Sequence, residues 1–113
     1  MKTFLALFVF CLLVGAQTTG TVTVTTLRTV TATAGPVTCT FTNPAPPAFQ
    51  MECKVNGVVR LTQNATPAVG AASGVVGSYV ESGENISWIV TQPTAGVVNW
   101  DIAANGVRQT GTF

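Results

Sequence analysis

From residue 37 onward, apolar and polar positions alternate with a period of two over most of the chain. Val37, Cys39 and Phe41 share one phase, and Thr38, Thr40 and Thr42 share the other. Met51, Cys53 and Val55 repeat the pattern against Gln50, Glu52 and Lys54. A period of two is the mark of a half-buried antiparallel strand, because successive side chains leave opposite faces of the pleat. The same reading predicts strands over 75–80, carrying Tyr79, and over 85–91, with Ile86, Trp88 and Val90 on one face. It predicts two more over 97–104, with Val98, Trp100 and Ile102 in phase, and over 107–113.

The segments between these strands are turn chemistry. Asn43-Pro44-Ala45-Pro46-Pro47 cannot continue a ladder, since proline has no N–H to donate, and reads as a loop. Residues 63–74 (QNATPAVGAASG) read as a long loop or sheet crossing, and 92–96 (QPTAG) as a loop. Glu81-Ser82-Gly83-Glu84 reads as a turn. Asn56-Gly57 and Asn105-Gly106 are hairpin signals, because both residue types tolerate positive φ. At Asn105-Gly106 a two-residue turn pairs Ala104 with Val107, Ile102 with Gln109, Trp100 with Gly111 and Val98 with Phe113. The glycine leaves room for the indole to cross the neighbouring strand. At Asn56-Gly57 the same turn would set Cys53 opposite Arg60 and bury a charge. A three-residue loop with a bulge instead pairs Val55 with Val59 and Cys53 with Leu61. A one-residue slip flips every side chain, so the bulged form is expected.

Residues 18–34 read TTGTVTVTTLRTVTATA, with valine and alanine mostly in the even phase and threonine in the odd. The plain expectation is an edge strand, interrupted near Arg28, whose threonines face water. An O-glycosylated stalk is a second reading. A third is an ice-binding surface of Thr-x-Thr type, which needs several stacked ladders. Here there is one ladder, which weighs against that reading.

Residues 1–16 (MKTFLALFVFCLLVGA) have the form of a secretory signal peptide: a lysine, an apolar run and small residues before the expected cleavage. The run is short for a bilayer span. Cleavage would make Gln17 the mature N-terminus and remove Cys11. Cys39 and Cys53 then remain, both in inward phases and on an oxidising route, and are expected to form a disulfide. Such a bridge closes a loop of about 15 residues, worth roughly 3 kcal/mol in chain-entropy terms. Asn64-Ala65-Thr66 and Asn85-Ile86-Ser87 are candidate N-glycosylation sites, at Asn64 and Asn85. Residues 17–113 suffice for one domain, with 17–35 as the threonine-rich edge strand or stalk and 36–113 as the core. Seven to eight short strands with regular turns predict an all-β, antiparallel β-sandwich. It resembles an immunoglobulin domain in architecture only, because the two cysteines lie too close in sequence for the usual bridge between sheets.

Composition narrows the chemistry. Beyond residue 16, Arg28, Lys54, Arg60 and Arg108 balance Glu52, Glu81, Glu84 and Asp101, so no basic patch points to nucleic acid or an anionic membrane. The chain has no histidine, which removes the usual general base of Ser-His-Asp and Cys-His catalysis and the commonest metal ligand. No cofactor motif is present, and none is expected. Glu81 and Glu84 are the one carboxylate pair that a small hydrolase could use. Trp88, Trp100, Phe41 and Phe113 are expected in the core. Tyr79 and Phe49, if exposed, could stack on a sugar ring. The sequence therefore predicts a small secreted, non-enzymatic protein with a structural, adhesive or ligand-binding role outside the cell. The expected partner is an extracellular glycan or surface protein, with a glycan-binding module or secreted effector as the alternative and a carboxylate hydrolase as a minor one.

Overall fold

A computed structural model describes residues 18–45, 47–70 and 74–113. The expected signal peptide lies outside the described residues. The described chain is a sandwich of two antiparallel sheets, each a simple meander. The first sheet runs β1 (Thr21–Thr26), β2 (Thr29–Ala34), β3 (Val37–Thr42), β4 (Phe49–Val55) and β5 (Val58–Ala65). The second runs β6 (Val75–Glu81), β7 (Glu84–Thr94), β8 (Val97–Ala104) and β9 (Val107–Thr112). Every neighbour in a sheet is also a neighbour in sequence, with one crossing between sheets after β5. Among the described residues no Greek-key exchange occurs, so the likeness to an immunoglobulin domain ends at the two packed layers.

The strand count exceeds the seven to eight expected because the threonine-rich segment makes two strands. Leu27 and Arg28 turn the chain between them without positive φ, so no Asn-Gly signal marks the hairpin. Residues 21–34 are thus hydrogen-bonded strands of the sheet rather than a stalk. The turn is tied to the proline-rich loop: the Arg28 guanidinium donates to the Asn43 backbone and side-chain oxygens, both at 3.2 Å. Asn43, 1% exposed, in turn donates to the carbonyl of Ala48.

The core is the inward phase of β2, β3, β4, β7 and β8. Val30, Ala32, Val37, Phe41, Phe49, Ile86, Val90, Val98 and Ile102 are all at or below 1% exposure. Each large side chain among them contributes about 1.5–3 kcal/mol by leaving water. Phe41 meets Trp88 edge-on across the two sheets, at 5.4 Å and 61°, and stacks on Phe49 in its own sheet at 6.1 Å and 13°. Cys39 and Cys53 are directly opposed in β3 and β4 and form a disulfide. The bridge joins neighbouring strands of one sheet, which is why its sequence span is short.

Asn105-Gly106 gives the expected register, with Ala104 opposite Val107, Ile102 opposite Gln109 and Trp100 opposite Gly111. The Phe113 N–H donates to Val98 at 2.9 Å. At Asn56-Gly57 the expectation is half corrected. Cys53 does face Leu61, but Val55 pairs with Val58, not Val59. Both turn residues have positive φ, 52° and 81°, so the tight two-residue turn forms first. The extra residue, Arg60, is then accommodated between the Lys54–Val59 and Cys53–Leu61 pairs. At 92–96 the expected loop is also shorter. β7 continues to Thr94, with Gln92 and Pro93 in a bulge, where the missing proline N–H breaks no ladder bond.

Gln92 fixes the crossing between sheets. Its Nε2 donates to Pro67 O at 2.6 Å, its Oε1 accepts from Gly96 N at 2.8 Å, and its backbone O accepts from Gly70 N at 2.8 Å. At the other end, Gly20 passes so close to β8 that a Cβ there would stand 1.9 Å from Ala104 O. Only glycine lets the N-terminal segment close that end of the sandwich.

Candidate binding surface

The outward phase of the five-stranded sheet is built almost wholly from threonine in its first three strands. The Gly35-Pro36 turn pairs Ala34 with Val37, and this sets Thr33 opposite Thr38, Thr31 opposite Thr40 and Thr29 opposite Thr42. On the other side of β2, Thr21 faces Thr33, Thr23 faces Thr31 and Thr26 faces Thr29. The result is three rows across three strands: Thr21–Thr33–Thr38, Thr23–Thr31–Thr40 and Thr26–Thr29–Thr42. Rows repeat about every 6.7 Å along a strand and threonines about every 4.8 Å across strands. The expectation of a single ladder is corrected: β2 and β3 stack two further ladders on it.

Thr26 caps its own turn by accepting from Arg28 N at 3.2 Å. The hydroxyls of the other eight make no hydrogen bond to the protein among the described residues. β-Branching restricts χ1 of each threonine, which limits the places its hydroxyl and methyl can take in the array. The rows continue onto β4 and β5 as Lys54 and Val59, Glu52 and Thr62, and Gln50 and Asn64. There the face acquires its only charges among the described residues, Lys54 and Glu52, 3.6 Å apart and half exposed. A shallow depression of about 450 Å³ opens beside them, lined by Thr40, Thr42, Gln50, Glu52, Thr62 and Asn64.

The residues singled out from the sequence do not converge on this face. Phe49 is corrected outright: at 0% exposure and stacked on Phe41, it cannot meet a ligand, because its phase in β4 is the inward one. Tyr79 is half-buried against the core at the β6 edge. Its hydroxyl donates to Glu81 Oε1 at 2.6 Å, and that bond, with the nearby carboxylate, raises its pKa. Trp88 and Trp100 are 2% and 5% exposed, and Phe113 is half-buried, 6.4 Å from Trp100. Asn64 and Asn85 are exposed, Asn64 on the threonine face.

Glu81 and Glu84 are cross-strand partners beside the Ser82-Gly83 turn, yet each is engaged by different groups. Glu84 is 8% exposed and accepts from Asn105 Nδ2 at 2.6 Å and Thr18 Oγ1 at 3.4 Å. It closes one end of the sandwich, where a Cβ on Gly35 would lie 2.7 Å from its Oε2. Among the described residues, no cluster of three or more His, Cys, Asp or Glu could hold a metal ion. No family model, curated protein or solved structure matches the chain.

Proposed function

We propose that this is a small secreted, non-enzymatic protein that works outside the cell by contact through the outer face of its five-stranded sheet. One observation carries this reading: threonine fills nine adjacent outward positions on β1, β2 and β3, and eight of their hydroxyls have no protein partner among the described residues. A fold that needed only solubility could use any polar residue there, whereas a repeated side chain presents a repeated surface. The leader-like residues 1–16 and the Cys39–Cys53 disulfide support export to an oxidising compartment. The separate engagement of Glu81 and Glu84 supports a non-catalytic role. A glycan-binding module is a second reading, favoured by the polar depression at Gln50, Glu52, Thr62 and Asn64.

The test has two parts. Expression of the full chain in a secretory host should release a disulfide-bonded protein beginning near Gln17, as read by N-terminal sequencing and intact mass. That protein should be retained by an extracellular material or glycan in a panel, and a Thr31→Lys/Thr40→Lys variant should lose retention. Hydrolysis of glycosides that disappears in Glu81→Gln or Glu84→Gln would refute the non-enzymatic reading.

A further inference from the structure

We propose that the partner of the threonine array is ice. This rests on the reading of that face as the contact surface and names what it contacts. The three rows and three strands span about 10 Å by 13 Å. Within a row, neighbouring strands lie about 4.8 Å apart, and hydroxyls in like rotamers share that spacing. A water bonded to both at about 2.8 Å would subtend an angle of about 118°, somewhat wider than tetrahedral, so one water can bridge each neighbouring pair. Along a strand the repeat of about 6.7 Å exceeds the reach of one such bridge. Bridging waters therefore line up in files between the strands, and the methyl groups beside them exclude water from other positions. Each hydroxyl supplies one donor and two acceptor lone pairs, one donor short of a lattice water, which donates twice and accepts twice.

The chemistry of the array selects against other partners. Its nine positions carry no charge and no aromatic ring. A charged surface has nothing to pair with until Lys54 and Glu52 on β4, and a sugar ring finds no aromatic face to stack on. Sheet twist of about 20–25° per strand confines registry with a crystal plane to these few strands. The expected activity is therefore adsorption and inhibition of recrystallisation rather than a large depression of freezing.

The experiment grows ice slowly from a dilute solution of the purified, disulfide-bonded protein mixed with serum albumin, and compares both proteins in the ice and in the remaining liquid. The expected result is several-fold enrichment of this protein in the ice, with albumin excluded. Thr31→Lys/Thr40→Lys should fall to the albumin level while a cooperative melting transition, lowered by the two facing lysines, shows that it is still folded. Thr110→Lys, on the outer face of the other sheet, should remain enriched. Exclusion of the folded wild type from ice overturns the proposal. Equal enrichment of Thr31→Lys/Thr40→Lys overturns the assignment to this face. Exclusion from ice together with Thr31-dependent retention on chitin or cellulose overturns ice and leaves the contact face standing.

Discussion

Replacing Gly77 by alanine should destabilise the fold far more than the same change at Gly111, although both glycines do the same job. Each lies in an edge strand opposite a tryptophan, Gly77 opposite Trp88 and Gly111 opposite Trp100, and each indole crosses the strand where a side chain is missing. A Cβ at Gly77 would stand 2.6 Å from Trp88 Cε2 and Cζ2, and one at Gly111 would stand 2.5 Å from Trp100 Cζ2. Carbon contacts prefer about 3.5–4.0 Å, so either ring must retreat by about 1 Å. Trp88 cannot, because Phe41 meets it from the facing sheet. Trp100 has beside it the only partly buried Phe113, which can yield. Overpacking costs about 1–3 kcal/mol, and the Gly77 site belongs at the top of that range. Alanine returns about 0.5–1 kcal/mol by restricting the unfolded chain. The net expectation is about 2 kcal/mol for Gly77→Ala and close to zero for Gly111→Ala. In a domain of this size the former lowers the melting temperature by roughly 8–16 °C. Urea titration followed by tryptophan emission measures both. Adding Trp88→Leu should abolish the cost of Gly77→Ala, as a double-mutant cycle detects. Equal effects at the two glycines, or a cost that persists once the indole of Trp88 has been removed, would refute the argument.

Reduction should add two hydrogens to the intact mass and remove roughly 3 kcal/mol of stability, whereas two titratable thiols in the native protein would show that Cys39 and Cys53 are unpaired. Trp88→Ala should cost about 3–5 kcal/mol; a variant as stable as wild type would place the indole outside the core. Arg108 donates to Asp101 at 2.7 and 2.5 Å, and these bonds lower the Asp101 pKa. A carboxyl whose folded pKa lies below its unfolded value adds stability above the unfolded pKa and loses it as pH falls through the folded one. Asp101→Asn should therefore be slightly less stable than wild type at neutral pH and equal to it in acid, with the gap shrinking in salt; a gap that widens in acid would reverse the sign. Removing residues 111–113 should expose Trp100, shift its emission to the red and favour self-association through the shortened β9 edge; an unshifted monomer would show that Phe113 does not hold the strand.

The alternating strands were legible because each has one wet face and one dry one. Asn105-Gly106 was legible because its turn type fixes the register without help. The threonine rows were not, and the reason is specific. Read alone, 18–34 is one strip, and Leu27-Arg28 carries no turn residue to fold it. The register of β2 on β3 was nevertheless available from the Gly35-Pro36 turn: a two-residue connection pairs residues 33 and 38, 31 and 40, and 29 and 42. Phe49 follows the prolines closely, yet its phase with Met51 and Cys53 puts it inside. Gln92 reads as loop, and only the bulge reveals that its side chain is buried to tie down Pro67 and Gly96.

Both edges of the five-stranded sheet carry a bulge, and the two bulges explain how the outer face stays uniform. On β1 the extra residue is Thr25, whose hydroxyl bonds back to Thr29 O at 3.1 Å. Skipping it returns Thr26 to the phase of Thr21 and Thr23, so the third row is complete. On β5 the extra residue is Arg60, and without it the tight Asn56-Gly57 turn would carry Arg60 inward opposite Cys53. Skipping Arg60 sends Leu61 to the core and Thr62 and Asn64 to the outer face. A bulge also interrupts the row of free backbone groups that an edge strand offers to another chain. The same local distortion therefore keeps a charge out of the core, keeps threonine on one side and blunts the edges that would let such sheets join. A protein with so few charges needs the last of these, because repulsion between copies cannot keep them apart.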